Sequence, residues 1–171
     1  MVEVPNHPNW ITFSRNSSQS NDFSRVITYI NVQLFPLHFS LQKDILNYRD
    51  ISCVSFFNHS SVYFLINVYS DLSQAALKYL KNTEANIGNV LIMTRDFNIR
   101  DSSWDLYFSY YSFYRDTLVE VIDSFHLDLS KPTKQVPTRY LNNHQDSNLV
   151  INLMFLRPES LKHDNHTIYS G

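Results

Sequence analysis

Asp96 and Asn98 stand two residues apart where an apolar run ends, in "NVLIMTRDFNIRDSSWD" (89–105). A carboxylate can hold a hard cation or take a proton. A carboxamide can hydrogen-bond a phosphate oxygen without adding negative charge. On an extended segment, residues two apart project from one side, and there the pair suits Mg²⁺-assisted hydrolysis of a phosphodiester. Alone the triplet is weak evidence, because a turn or a helix cap is its commoner use. A calcium loop is excluded: the sixth position from Asp96 is Asp101 rather than Gly, and the twelfth is Tyr107 rather than Glu.

Tyr69 is the second candidate. It sits where a strand hands over to a helix, at the same end of the sheet as Asp96 if their strands run parallel. A phenol there can hydrogen-bond a phosphate; a half-buried strand tyrosine is the plainer alternative. Other chemistries fall away. The chain has 2 glycines, too few for a P-loop, a dinucleotide fingerprint or a nucleophile elbow. Its single cysteine, Cys53, lies in an apolar run and reads as a buried thiol, which excludes an internal disulfide and a cysteine-based zinc site. The histidines form no H-E-x-x-H motif. Sequons at Asn16, Asn58 and Asn165 are about as frequent as chance allows. The aromatic run "WDLYFSYYSFY" (104–114) could stack bases, but packing between a strand and a helix is the simpler use.

Elements must position these side chains. The 171 residues suffice for one domain with a real core, and 43% hydrophobic against 18% charged residues is a globular composition. A net charge of −2 and a pI near 6.4 give no general attraction to nucleic acid. No signal peptide is evident and "VYFLINVY" is too short to span a bilayer, so a soluble, intracellular, unsecreted protein is expected, nuclear or cytoplasmic being open. Strands are predicted at 25–32, 51–57, 61–69, 89–94 and 149–156, the second and third forming a hairpin. A helix is expected after Ser70 or Asp71, with Leu72, Ala76, Tyr79, Leu80, Thr83 and Ile87 at helical spacing. A second is expected over 115–125, burying Leu118, Val121, Ile122 and Phe125. Residues 1–24 read as an extended or loop segment and 25–171 as the domain. Strands alternating with helices give a mixed α/β layered fold. Seventeen asparagines beside so few glycines fit turns in which Asn takes left-handed positions.

Taken in order, "INVYSD", a helix, "VLIMTRDFNIRDSSWD", "KPTKQVPTRY" and "SNLVINLMFLRP" resemble the endonuclease/exonuclease/phosphatase family, and most of all the apurinic-endonuclease-like domain of fungal non-LTR retrotransposons. The resemblance runs from about residue 4 to the end. It implies a DNase I-like four-layer α/β/β/α sandwich, here incomplete at both ends, and hydrolysis of DNA phosphodiesters with Mg²⁺. It assigns Tyr69 to the phosphate, Asp96 to the attacking water and weakly to the metal, and Asn98 to the phosphate. Thr138 and Asn152 become supporting residues.

The chain departs from the pattern at three positions. Arg95 replaces a glycine, Asn152 an aspartate that orients a histidine, and Leu149 a serine. The family's metal-binding glutamate and closing Asp-His have no counterpart in this sequence. Each replacement is one G→A or C→T change, consistent with a mutational scar. The expectation is therefore an impaired nuclease domain with DNA as partner, or else a catalytically dead remnant. A non-enzymatic α/β interaction module is the remaining alternative. Unpaired sheet edges are expected to favour self-association.

Overall fold

The computed structural model describes residues 8–14, 24–33, 37–58, 60–83, 87–105, 109–130 and 152–158, without the side chains of Arg95 and Asn152. Thr138 lies outside the described residues. The elements are β1 (Trp10–Ser14), β2 (Ile27–Asn31), β3 (Phe39–Leu41), β4 (Ile51–Asn58), β5 (Ser61–Val68), α1 (Ala75–Asn82), β6 (Val90–Asp96), α2 (Arg115–Ser124), β7 (Asp128–Leu129) and β8 (Asn152–Leu156). They form a mixed sheet of order β3-β4-β5-β6-β8-β7 and a separate antiparallel pair, β1-β2. The β4–β5 hairpin is present, with Asn58 opposite Ser61. β5 and β6 are parallel, and β6 is flanked on its other side by antiparallel β8. The central strand expected at 89–94 continues through Asp96.

Alternation along the strands divides the core in two. On one face Ile51, Cys53, Ile66, Val68, Met93 and Phe155 meet Leu77, Leu80, Leu118 and Val121 from the helices. On the other, Val54 and Leu65 meet Phe13 and Ile30 of the small sheet. Polar bonds also join the two sheets: Thr28 Oγ1 donates to Ser52 Oγ (3.0 Å), and Asn67 Nδ2 to the Ile27 carbonyl (3.3 Å) and Thr28 Oγ1 (3.1 Å). Helices, large sheet and small sheet make an α/β/β stack among the described residues. A mostly apolar cavity of about 420 Å³ opens between the sheets, lined by residues that include Tyr29, Phe39, Leu65, Ile92 and Met154. Burial pushes the Cys53 thiol up to about 12, so it is chemically inert at neutral pH.

Three expectations need correction. The first helix is shorter than its apolar spacing implied. It starts at Ala75, after Gln74 in the left-handed region (φ 55°), and neither Ser70 nor Asp71 caps it. Asp71 instead closes a turn onto Ser73, and Leu72 is 82% exposed. Within the N-terminal stretch read as extended or loop, Trp10–Ser14 is a paired strand, β1. The aromatic run is split in use: Trp104 is buried, whereas Tyr110, Tyr111 and Phe113 are exposed. A buried carboxylate, Asp101, ties this loop down by accepting the Ser103 and Ser112 N–H groups.

The second helix matches its expected span and ends in a Schellman turn. The His126 N–H donates to Asp123 O and the Leu127 N–H to Ile122 O, with His126 at φ 55°. Glycine is the residue that adopts this conformation without a Cβ penalty. His126→Gly is expected to raise unfolding stability by about 0.5–1 kcal/mol, the left-handed penalty of about 1–2 kcal/mol less glycine's extra chain entropy, measured by urea denaturation. A lower midpoint would contradict that account of the helix end.

Candidate functional site

Parallel pairing sends the C-terminal ends of β5 and β6 out of the core side by side. The pairing continues past the strands. Tyr69 N–H donates to Asp50 O and Ser70 N–H to Asp96 O, both at 2.9 Å. β6 then breaks. Asn98 takes φ 50°, its N–H donates to Asp96 Oδ1 (3.1 Å), and its Nδ2 donates to the Ser70 carbonyl (2.7 Å). Extended-strand alternation therefore does not bring Asp96 and Asn98 together; a tight Asx turn does. A buried polar relay stiffens the turn from behind. Ser70 Oγ donates to Gln74 Oε1 (2.7 Å), and Gln74 Nε2 to the Phe97 carbonyl (3.4 Å).

These turns border a cleft of about 490 Å³ lined by Tyr69, Asp71, Leu72, Ser73 and Asn98. Two of the sequence candidates, Tyr69 and Asn98, thus open on one cleft, and Asp96 is coupled to it through the Asn98 N–H. Asn152 pairs with Asp96 across β6 and β8, so its backbone belongs to the same end of the sheet.

Sequence reasoning missed Arg25 and Asp50. Arg25 Nε and Nη2 hold the two oxygens of Asp50, which is buried, and Nη2 also reaches Asp71 Oδ2 at 3.0 Å. The Arg25 guanidinium carbon lies 4.8 Å from the centroid of the Tyr69 ring. The available signal was positional: each is a charged residue just before an apolar strand, and both strands start at the end where β5 and β6 finish.

The electrostatics follow from these bonds. Hydrogen bonds from Ser73, and then from Arg25, hold the Asp71 carboxyl at about 2, below its ordinary 3.8. Burial pushes the Asp101 carboxyl up, but the Ser103 and Ser112 N–H groups, the Ser103 hydroxyl and Arg115 outweigh it and hold the group below its usual range.

Mg²⁺ needs carboxylates, supplemented by waters and substrate phosphate, at strict octahedral spacing. Here one Asp96 oxygen accepts the Asn98 N–H, Asn98 donates its amide to Ser70, and Asp71 is tied to Arg25 and Ser73. Among the described residues no three His, Cys, Asp or Glu side chains come together as a metal cage. This donor set does not fit a protein-held Mg²⁺. It fits hydrogen bonding to an anion: Asn98 Nδ2 has a second N–H, and Tyr69 adds a phenol.

No protein-family model matches the chain, and no curated protein matches it. Among solved structures, the endonuclease domain of TRAS1, a telomere-specific non-LTR retrotransposon, superposes with a TM-score of 0.68. The match covers 91% of this chain and 70% of that one at 15% identity. The fold is thus DNase I-like, an α+β sandwich shared with that domain. At this identity the likeness concerns the fold. No helix among the described residues is long and apolar enough to cross a membrane.

The Asp71 shift has a defined sign. Its folded value is depressed, so its contribution to stability is fully present above the ordinary value near 3.8 and is lost as pH falls through about 2. Carboxyl ¹³C titration is expected to place its midpoint near 2. A midpoint at or above 3.8 would show that the Ser73 and Arg25 bonds do not persist in solution.

Proposed function

We propose that this chain is a nuclease-fold domain that takes the DNA backbone into the Tyr69–Asn98 cleft and has lost efficient hydrolysis. One observation carries the reading: a phenol and a carboxamide from separate strand ends share one cleft on the parallel β5–β6 pair. Both donate hydrogen bonds without adding negative charge, which suits an anionic phosphodiester. The fold likeness to a retrotransposon endonuclease supports DNA as the polymer.

The division of labour follows from the bonds. Asn98, fixed by Ser70 and Asp96, presents an amide N–H to a non-bridging oxygen. Tyr69 donates its phenolic proton to the same group. Asp96 orients Asn98 and is the candidate base toward a water. The other components of nuclease chemistry are weak here. The donor set does not cage Mg²⁺, and Asn152 stands where the family resemblance calls for a carboxylate. Loss of one acid–base component typically lowers a rate by about 10²–10⁴, and such factors do not simply multiply.

Two outcomes test this. Tyr69→Phe and Asn98→Ala should each weaken binding of a short DNA duplex about 10- to 150-fold, as expected for one hydrogen bond to a charged group; fluorescence anisotropy at fixed salt reads it. Unchanged affinity in both variants would remove the cleft as the binding site. A supercoiled-plasmid assay with Mg²⁺ should show no nicking above background. Nicking that is present in the wild type and vanishes in Asp96→Ala would reveal a working nuclease instead.

A further inference from the structure

Two residues that line the cleft, Tyr69 and Asp71, are engaged by a third that does not line it itself. Arg25, from the segment entering β2, is held by two segments distant from it in sequence, Asp50 before β4 and Tyr69 with Asp71 after β5. Its Nε and Nη2 make 2.5 Å bonds to Asp50, the residue before β4, and Asp50 is 1% exposed. Its Nη2 makes a 3.0 Å bond to Asp71 on the loop after β5. Its guanidinium carbon lies over the Tyr69 ring, 4.8 Å from the centroid.

Tyr69 needs such a restraint. Its backbone is fixed by the N–H bond to Asp50 O, but it has left the sheet and its ring is only half-buried. Two side-chain torsions therefore decide where the phenol points. Asp50 thus fixes both the main chain of Tyr69, through its carbonyl, and the ring, through Arg25. We infer that Arg25 is a positioning residue for the proposed phosphate cleft: clamped by Asp50 and Asp71, it holds the Tyr69 ring so that the phenol faces the phosphate. The inference rests on the reading of the cleft as a DNA-backbone site.

The clamp requires arginine. Lysine carries the same charge on a flexible stem, but it can neither fork onto Asp50 nor lie flat on a ring. Removing Arg25 alone would leave the buried Asp50 carboxylate with only Arg49, 3.6 Å away, to offset its charge, which threatens folding. Arg25→Gln combined with Asp50→Asn avoids that hazard by neutralising both partners.

Two readouts in the full-length chain separate the clamp from the site. The first is the three-bond coupling that reports the Tyr69 χ1 angle by NMR. A single rotamer is expected in the wild type, and averaged rotamers in both Arg25→Lys and the Arg25→Gln/Asp50→Asn pair. A single rotamer surviving in both would overturn the inference, with no DNA involved. The second is duplex affinity in a double-mutant cycle. The neutral pair should weaken binding about tenfold in the wild type, between the exposed and desolvated values of one cation–ring contact, and less than about twofold when Tyr69→Phe is already present. Equal losses in both backgrounds would show that Arg25 does not act through the phenol. Full affinity in Arg25→Lys would reduce its part to charge and also overturn the inference. If χ1 averages as expected but Tyr69→Phe leaves affinity unchanged, the clamp stands as geometry. The cleft reading then falls, and the positioning role with it.

Discussion

The parallel pairing of β5 with β6 is the constraint on which the rest depends. Parallel strands must both leave the sheet at the same end. Leu65, Ile66 and Asn67 stand against Ile92, Met93 and Thr94, so Tyr69 and Asp96 emerge as neighbours although 27 positions separate them in sequence. Antiparallel partners on either side add two more segments at that end: β4 brings Asp50 and β8 brings Asn152. The crossover that parallel pairing demands is supplied by α1, which also covers the apolar face of both strands. An antiparallel β5–β6 would place Tyr69 and Asp96 at opposite ends, with no cleft between them.

What the cleft can do follows from how its charges are committed. Asp50 and Asp71 are both engaged by Arg25, and Asp96 is engaged by the Asn98 turn. The polar groups bordering the opening are Tyr69, Ser73, Asn98 and Asp71, the last within an ion-pair network in which Arg25 is shared by Asp50 and Asp71 and Arg49 lies 3.6 Å from Asp50. With a net charge of −2 and few cations at the cleft, DNA affinity should depend only shallowly on salt compared with strongly basic DNA-binding proteins.

Much of this was legible in the sequence. Strand-forming residues and a tight connection located the β4–β5 hairpin, and an uninterrupted apolar run marked β6 as central. The amphipathic period of 115–125 gave α2 almost to the residue. Where the sequence misled, local geometry had won over periodicity. Leu72 matched the helical spacing, yet Gln74 in the left-handed region delays the helix and leaves Leu72 in solvent. Asp96 and Asn98 were paired for a wrong reason, since strand alternation stops at Asp96. The suspicion that asparagine substitutes for scarce glycine holds at Asn89 and Asn98, the left-handed residues bracketing β6. Arg25 and Asp50 escaped notice because their partnership spans 25 positions and belongs to no motif. Only the fold makes them adjacent.

The central claim is that DNA meets this chain at the end of the β5–β6 pair. Amide chemical-shift mapping during titration with a short DNA duplex tests it most directly, because it requires no substitution and assumes no activity. The account predicts saturable shifts concentrated at Tyr69, Ser70, Asp71 and Asn98, with residues around the cavity between the sheets, such as Tyr29, Phe39 and Ile92, unaffected. Shifts centred on that cavity, or no saturable shifts at all, would contradict it.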